Sequence, residues 1–437
     1  MKLKNIQLSN YRNFKDYSID FGTEATIFIG KNGTGKTNLI NAIAHSLSFI
    51  FSKKKEEIQY EFIASSDANV KVESFKSTDY RFDYEIDPPH GNYSPAVSIK
   101  TTADEGESLS WEFLNDGESN RLKETLYRNA NSLFWNKYIV DGKIQKLPVF
   151  VFFHDSYPHK TANTGKNMQD KLDSGYPMPR NTGYYMWNDE KNCTDIWVQY
   201  FTMQWKNDLY DNGRGDKNYL KAVNEKLVLF SKSISELVKN ESIEVEKLAV
   251  DARGKDDVLI VLFKNGNRTL FDQLPQGYKR MFSIVFDISN RTFFLNSDCD
   301  SFGIVIIDEI ELHLHPSIQQ EFLNTLKRTF PKIQFIVSTH SPLVITNFKQ
   351  DDKNVLYKLY NEDGEYKNEK VDDLYGIDYN SGLRDWMETP YRNSDVNDLI
   401  ESYKYWKSAG DNEMINRLKE KIKDAVGNDS ELYKSLN

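Results

Sequence analysis

The segment Gly30–Thr37 reads GKNGTGKT and follows the short apolar run Ala25–Ile29. Its three glycines let the backbone curl so that successive amide N–H groups point inward, and a helix predicted from about Lys36 to Phe51 directs its positive N-terminus at the same point. Lys36 can reach β- and γ-phosphates, and the Thr37 hydroxyl can ligate Mg²⁺. The pattern therefore predicts a phosphate-binding loop between a strand and a helix. The candidate nucleotide-binding residues of this loop are Asn32, Gly33, Thr34, Gly35, Lys36, Thr37 and Asn38.

Composition limits the class of protein further. The chain has 437 residues and a net charge of −9, so it is long enough for two or three domains and does not carry a generally basic nucleic-acid-binding coat. A local basic groove stays compatible with this charge, which leaves nucleic acid open as a ligand. The sequence has no run of 18 apolar residues, so no membrane span is predicted. The N-terminal segment lacks the apolar core of a secretion signal. Cys193 and Cys299 show no metal-ligand spacing, and we expect a cytoplasmic protein without membrane association.

A second apolar strand, Gly303–Ile307, ends in the two carboxylates Asp308 and Glu309. In phosphate-loop ATPases the first such carboxylate holds Mg²⁺ directly or through water, so Asp308 joins Thr37 as a candidate metal ligand. Glu309 is the candidate catalytic base that polarises the attacking water, because an adjacent metal keeps a carboxylate ionised close to a γ-phosphate. Apolar strands that end in acidic residues are common, and this one is informative because the same chain contains the loop at 30–37.

Two more segments extend the pattern. The strand Ile333–Ser338 leads into Thr339–Pro342, so His340 lies at the tip of a strand predicted to neighbour the Asp308 strand and can reach a γ-phosphate. The segment Leu274–Arg280 reads LPQGYKR and opens an apolar helix. A glycine near a helix start is a weak signal by itself, and its place just ahead of the Asp308 strand makes it worth noting.

Together these segments resemble the ABC-type ATPases of the RecF, SMC and overcoming-lysogenisation-defect class. GKNGTGKT is similar to the Walker A motif of that class, IVIIDE to Walker B and STHSP to the histidine switch, and LPQGYKR occupies the place of the signature motif. The resemblance implies that ATP and Mg²⁺ bind where two subunits meet head to tail. It also implies that the signature motif of one subunit, here with Gly277 and Lys279, closes over the γ-phosphate held by the other. The opening segment Leu8–Phe14 is similar to the first strand and turn of the class, which makes Arg12 a candidate near the nucleotide.

The resemblance implies an α/β fold: an ABC-type phosphate-loop ATPase head whose mixed sheet carries the phosphate loop beside an antiparallel β lobe. We predict that residues 1–153 form the N-terminal part of this head and residues 243–350 its C-terminal part. Between them, residues 154–242 are predicted to hold a long loop and a helical insert. Residues 351–437 are predicted to form a charged, mainly helical C-terminal tail.

In the residues around the Walker B-like and histidine-switch-like motifs, the chain most resembles compact bacterial AAA-family ATP-binding proteins. These include the ATPase subunits of Septu-type and retron-associated phage-defence systems. This implies a homo-oligomeric ATPase that regulates a separately encoded effector, such as an HNH-type nuclease. One alternative is an ATP-gated nuclease similar to the overcoming-lysogenisation-defect proteins, which carry a metal-binding TOPRIM domain after the ATPase; here 97 residues follow His340. A second alternative, a RecF-like DNA-repair ATPase, predicts a basic groove, which the net charge does not favour.

One position departs from the resemblance. The signature motif of the class usually has serine after leucine, and this chain has Pro275. In the class that serine hydroxyl contacts the γ-phosphate held by the other subunit. Here the amides near Gly277, together with Lys279, would have to make the contact, so we expect ATP to be bound and hydrolysed slowly.

Overall fold

The computed structural model describes residues 1–51, 76, 79, 96–104, 106–115, 124–141, 143–158, 172, 178–189, 194–210, 213–251, 257–372, 374–387 and 393–436. The chain divides into two compact units, Met1–Gly376 and Ile377–Asn437. The strands are β1 (Lys2–Tyr11), β2 (Phe14–Asp20), β3 (Ala25–Ile29), β4 (Val97–Asp104), β5 (Ser108–Asn115), β6 (Ile139–Val140), β7 (Lys143–Ile144), β8 (Val149–Phe153), β9 (Val245–Asp251), β10 (Val258–Phe263), β11 (Arg268–Leu270), β12 (Gly303–Ile307), β13 (Ile333–Ser338), β14 (Asn354–Glu362) and β15 (Glu365–Lys370). The helices of the first unit are α1 (Lys36–Leu47), α2 (Glu124–Tyr138), α3 (Thr194–Tyr210), α4 (Lys217–Val238), α5 (Gln276–Asn296), α6 (Pro316–Thr329) and α7 (Pro342–Thr346).

A six-stranded mixed sheet forms the centre of the first unit, in the order β15-β14-β3-β13-β12-β8. The strands from β14 to β8 pair in parallel with their neighbours, and β15 pairs antiparallel with β14. Strands β3, β13, β12 and β8 are buried along their whole length, as expected for parallel strands covered on both faces. Parallel pairing places the carboxyl ends of these four strands at one edge of the sheet, where ligands bind in α/β folds.

The predicted antiparallel lobe is present as a four-stranded sheet in the order β2-β1-β4-β5. It is joined to the end of α1 by Trp111, whose indole Nε1 donates to Ser46 O at 2.8 Å and whose ring stacks on Phe49 with centroids 4.2 Å apart. The further strands predicted within 70–73 and 80–86 lie outside the described residues. The lobe thus holds the helix that follows the phosphate loop.

The helices of the predicted insert, α3 and α4, pack inside the first unit. Phe230 of α4 contacts Phe282 of α5 and Phe322 of α6, with ring centroids 6.4 and 5.9 Å apart. The aromatic and apolar residues at helical spacing in this segment of the sequence predict core positions. Trp197 of α3 is buried and donates from Nε1 to Asp287 Oδ2 at 2.8 Å. At the end of the same helix Leu209 and Tyr210 are 55% and 67% exposed, so they are not core residues. The spacing of apolar residues along one helix does not show which part of the helix is covered by neighbouring elements.

The tail predicted at 351–437 as charged and mainly helical begins with two strands, β14 and β15. Leu356 and Leu359 of β14 are buried, and the strand pairs with β3 beside the phosphate loop. The hairpin turns at Asp363 and Gly364, with φ of 52° and 84°. Asp-Gly is a strong signal for a two-residue hairpin turn with positive φ at both positions, and the charged residues around it hid that signal.

The second unit is mainly helical. Its helices are α8 (Tyr379–Ser381), α9 (Ser394–Ala409), α10 (Asn412–Val426) and α11 (Glu431–Lys434). Its small core contains Ile400, Tyr403, Leu418, Ile422 and Leu436. In neither unit do the described residues include a helix with the length and apolar character needed to cross a bilayer.

Candidate nucleotide-binding site

The side chain of Lys36 is hydrogen-bonded to carbonyl groups of the phosphate loop itself. Lys36 is buried, and its Nζ donates to Gly30 O at 2.8 Å and Lys31 O at 3.0 Å. Burial lowers the pKa of Lys36 to about 8, although the nearby carboxylates Asp308 and Glu309 act in the opposite direction. The charged ammonium is therefore costly in the protein alone, and a phosphate group would relieve that cost.

Two glycines of the loop are required by close contacts. Gly35 caps α1 with φ of 92°, and a side chain there would meet the Phe14 ring at 2.8 Å and Asn13 Nδ2 at 2.9 Å. Gly30 has φ of 147°, and a Cβ would lie 2.3 Å from Leu359 O. The loop is thus held between the β1–β2 turn and β14, with the amides of the first turn of α1 available for an anion.

The two candidate metal ligands lie side by side. The Thr37 Oγ1 donates to Asp308 Oδ2 at 3.1 Å, and the Ser338 hydroxyl donates to the other carboxylate oxygen. Neighbouring ligands of an octahedral Mg²⁺, each about 2.1 Å from the ion, lie about 3.0 Å apart. Thr37 and Asp308 are therefore placed as neighbouring ligands of a Mg²⁺ ion would be. With the ion bound, the Thr37 hydroxyl would keep its hydrogen and turn it away from Asp308, and phosphate and water would supply the other ligands.

Glu309 leaves β12 with a positive φ of 49°, and its amide donates to Ser338 Oγ at 2.9 Å. Burial is the first cause that raises the pKa of its carboxyl group, followed by the charges of Asp308, Glu311 and Asp155. A carboxylate with raised proton affinity next to a candidate metal ligand is suited to act as a general base.

The histidine predicted at the tip of β13 is held at the same edge. The His340 amide donates to Glu311 Oε1 at 2.6 Å, and Thr339 Oγ1 donates to Glu311 Oε2 at 2.7 Å. Burial, followed by the charge of Lys36, lowers the pKa of His340. Its imidazole is therefore neutral at neutral pH and close enough to Lys36 to sense its charge.

Arg12 is placed beside the loop but already has a partner. Its Nη1 donates to Asn38 Oδ1 at 2.8 Å, and its Nη2 lies 2.9 Å from Asp79 Oδ1. Asn38 in turn donates from Nδ2 to Asn13 Oδ1 at 2.8 Å. Two predicted residues, Arg12 and Asn38, thus meet and tie the β1–β2 turn to the first turn of α1.

Gly277 and Lys279 lie outside this bonded set of the same chain. The Lys279 Nζ donates to Asp272 O at 3.2 Å, and a Cβ at Gly277 would lie 2.8 Å from His313 O. Pro275 occupies the N-cap position of α5 and provides no side-chain hydrogen bond to the helix. The structure therefore brings together the phosphate loop, Asp308, Glu309 and His340 at one edge of the sheet. Among the described residues, neither Gly277 nor Lys279 hydrogen-bonds to them.

Three residues of the site were missed from the sequence. Ser338 links Asp308 to β13, Glu311 holds the histidine turn, and Arg280 donates to the carbonyls of Asp308 and Glu309 at 3.1 and 3.0 Å. The signals in the sequence were the first serine of STHSP, the third acidic residue of DEIE and the final arginine of LPQGYKR, and none of these patterns shows what the side chain contacts.

A buried parallel sheet with a glycine-rich loop, a bonded threonine–aspartate pair and an adjacent glutamate defines a phosphate-loop nucleotide-binding protein. The chain belongs to the AAA ATPase domain family, whose model matches residues 1–345. This confirms the predicted class of phosphate-loop ATPase.

Several relatives cover much of the chain. The retron Vc95 probable ATPase of Vibrio cholerae serotype O1 biovar El Tor is 25% identical over 82% of this chain and 74% of its own length. The retron Ec83 probable ATPase of Escherichia coli is 24% identical over 79% of this chain and 69% of its own length. The Septu protein PtuA of Bacillus mycoides (strain KBAB4) is 32% identical over 38% of this chain and 24% of its own length. Among solved structures, the SMC head domain from Thermotoga maritima covers 85% of this chain and all of its own, with a TM-score of 0.42 and 14% identity.

Replacing Lys36 by alanine should weaken nucleotide binding. A charge-assisted hydrogen bond contributes about 1.5–3 kcal/mol, so we expect affinity for ATP with Mg²⁺ to fall at least about tenfold. Isothermal titration calorimetry would measure it, with Lys100→Ala, an exposed lysine of β4, as the matched control. Unchanged affinity in Lys36→Ala would show that the loop is not the nucleotide site.

The lowered pKa of Lys36 also predicts a pH dependence of stability without nucleotide. Between about pH 8 and the ordinary value of 10.5, the unfolded chain holds a proton on Lys36 that the folded chain has lost, so this group makes stability rise with pH. From about pH 7.5 to about pH 9.5 the stability of the wild type relative to Lys36→Met should rise by on the order of 1 to 2 kcal/mol. Urea denaturation at both pH values would measure this, and a difference that stays constant or falls would contradict it.

Proposed function

We propose that two copies of this chain bind two ATP molecules head to tail, hydrolyse them slowly and thereby regulate a separately encoded effector, a nuclease, in defence against phage. The observation that supports this best is the division of the site. Lys36, Thr37, Asp308, Glu309 and His340 lie at one edge of the sheet. At the start of α5, Gly277 packs against His313 O and Lys279 bonds to Asp272, and among the described residues neither hydrogen-bonds to the phosphate loop. A second copy would bring its α5 to the exposed side of the nucleotide.

Within one chain each side chain has a definite task. Lys36 and the amides at the start of α1 would bind the β- and γ-phosphates. Thr37 and Asp308 would hold Mg²⁺, which supplies charge neutralisation at the phosphates when bound. Glu309 would accept a proton from the attacking water, and neutral His340 would hydrogen-bond near the γ-phosphate.

The start of α5 has the chemistry to close such a site from the other subunit. The first amides of an α-helix have no partner within the helix and favour an anion. Lys279 adds a positive charge, which Asp272 pairs at 3.4 Å in the single chain. Pro275 supplies no hydroxyl, so fewer donors would stabilise the transition state than in a motif with serine. This supports ATP as a slowly hydrolysed clamp.

The role in defence is supported by the relatives. Two of them are named as probable ATPases of retrons and one as a Septu protein. The phosphate-dependent closure of two subunits is a switch, because only ATP-bound chains gain the contacts of the closed state. Such a switch fits regulation of a separate effector, such as an HNH-type nuclease.

Replacing Glu309 by glutamine should separate binding from hydrolysis. The amide keeps the shape of the side chain but cannot accept a proton, so we expect kcat to fall by about 10²-fold or more with ATP affinity retained. Light scattering should then show a long-lived dimer with ATP. Glu365→Gln, at the exposed start of β15, is the control. A normal hydrolysis rate in Glu309→Gln would show that Glu309 is not the catalytic base.

Head-to-tail sites can be tested by mixing two inactive variants. Lys36→Ala disables the loop of its own chain, and Lys279→Glu disables the closing helix, so each alone should hydrolyse little ATP. In a mixed dimer one site combines an intact loop with an intact helix, and an equimolar mixture should recover about a quarter of wild-type activity. Sizing of the wild type with and without ATP accompanies the assay. No recovery on mixing, or no ATP-dependent dimer, would contradict the proposed arrangement.

A further inference from the structure

Arg280 is a fully buried arginine in the second turn of α5. Its Nη1 donates to Asp155 O at 3.0 Å and to Tyr157 O at 2.6 Å. Its Nη2 donates to Asp308 O at 3.1 Å and Glu309 O at 3.0 Å. One guanidinium thus joins α5 to the chain segments that leave β8 and β12.

These carbonyls belong to the backbone that carries the candidate catalytic carboxylate. Strands β8 and β12 pair in register up to Phe153 and Ile307, and one more main-chain hydrogen bond, from Asp308 N to Phe153 O at 2.9 Å, joins the two segments beyond that point. Arg280 adds its hydrogen bonds at this point, since a planar guanidinium can bond several oxygens at fixed angles. The main chain at Glu309 is therefore held by α5 through its carbonyl as well as by Ser338 through its amide.

The start of α5 also packs against His313, which follows Glu309 in the same segment of the chain. Gly277, one turn before Arg280, leaves no room for a side chain against His313 O. The start of α5 and residues 308–313 are thus joined at two points, one polar and one by close packing. A displacement of α5 at this end would be passed to the main chain at Asp308 and Glu309, because packed interiors transmit strain.

We propose that Arg280 is a positioning residue for ATP hydrolysis, which couples the start of α5 to the main chain of Asp308 and Glu309. The inference rests on the proposed function, in which the start of α5 meets the nucleotide of the second copy. Contact at α5 then orients the Glu309 carboxylate of the same chain, and hydrolysis in the two sites is linked. ATP binding does not require this link, because Lys36 and Thr37 are held by the phosphate loop and by Asp308.

Arg291 provides a matched comparison on the same helix. It is also buried, pairs with Asp287, and donates from Nη1 to Gly183 O at 3.2 Å and Tyr185 O at 2.9 Å. It lies about three turns further along α5 and bonds a different segment. Both arginines stabilise the fold through backbone carbonyls, but only Arg280 bonds the carbonyls of Asp308 and Glu309.

The test compares Arg280→Lys with Arg291→Lys in the full chain. Lysine keeps the charge but cannot span four carbonyls with a planar fork. In Arg280→Lys we expect kcat for ATP to fall at least about tenfold, while the Kd for ATP and ATP-dependent dimerisation change less than about twofold. In Arg291→Lys we expect a lower melting temperature with kcat retained. Arg280→Gln, a smaller neutral side chain, should show the same split between kcat and Kd.

Each other result overturns the inference. Wild-type kcat in Arg280→Lys, an equal loss of kcat in Arg291→Lys, or a parallel loss of ATP binding would show that Arg280 only stabilises the fold. Failure of both Arg280 variants to fold while Arg291→Lys folds would lead to the same conclusion. A wild-type chain that neither hydrolyses ATP nor dimerises with it would instead refute the proposed function, whereas an active wild type with an active Arg280→Lys refutes only the coupling.

Discussion

The hydrogen bonds of the Asp308 carboxylate hold the site together. One oxygen accepts from Thr37 at the start of α1 and the other from Ser338 at the end of β13. Thr37 and Asp308 are 271 residues apart in the chain, and they meet because β3, β13 and β12 are parallel neighbours whose carboxyl ends share one edge. The register of these buried strands therefore determines whether the loop and the candidate metal ligands lie together.

Burial gives this site an unbalanced electrostatic state without nucleotide. It lowers the pKa of Lys36 and raises that of Glu309, so the ammonium and the carboxylate are both less favourable as charges than in water. In the proposed function, a triphosphate with its metal would bring charges of both signs to the places where the protein provides their partners. Binding would then offset the cost of the charged groups, and this difference between the free and bound states would let the protein respond to ATP.

The edge of the sheet is supported from two sides. Glu311 holds the histidine turn through its two oxygens, and Arg280 holds the exits of β8 and β12 through backbone carbonyls. Both side chains bond main-chain or turn atoms, so they control where neighbouring side chains lie. The hydrogen bonds of Arg280 explain how a charged residue can be buried in α5, since its donors on two nitrogens are used.

The sequence by itself determined the local chemistry. Glycine spacing, the short apolar strands and the residues that follow them predicted the phosphate loop, the carboxylate pair and the histidine turn, because each depends on backbone conformation within a few residues. The family membership that these motifs imply is confirmed. Only the tertiary structure decided that β14 completes the sheet beside the loop, that α4 packs into the first unit, and that Ser338, Glu311 and Arg280 support the site. Those facts depend on contacts between segments far apart in the chain, and periodicity along one segment carries no information about its partner.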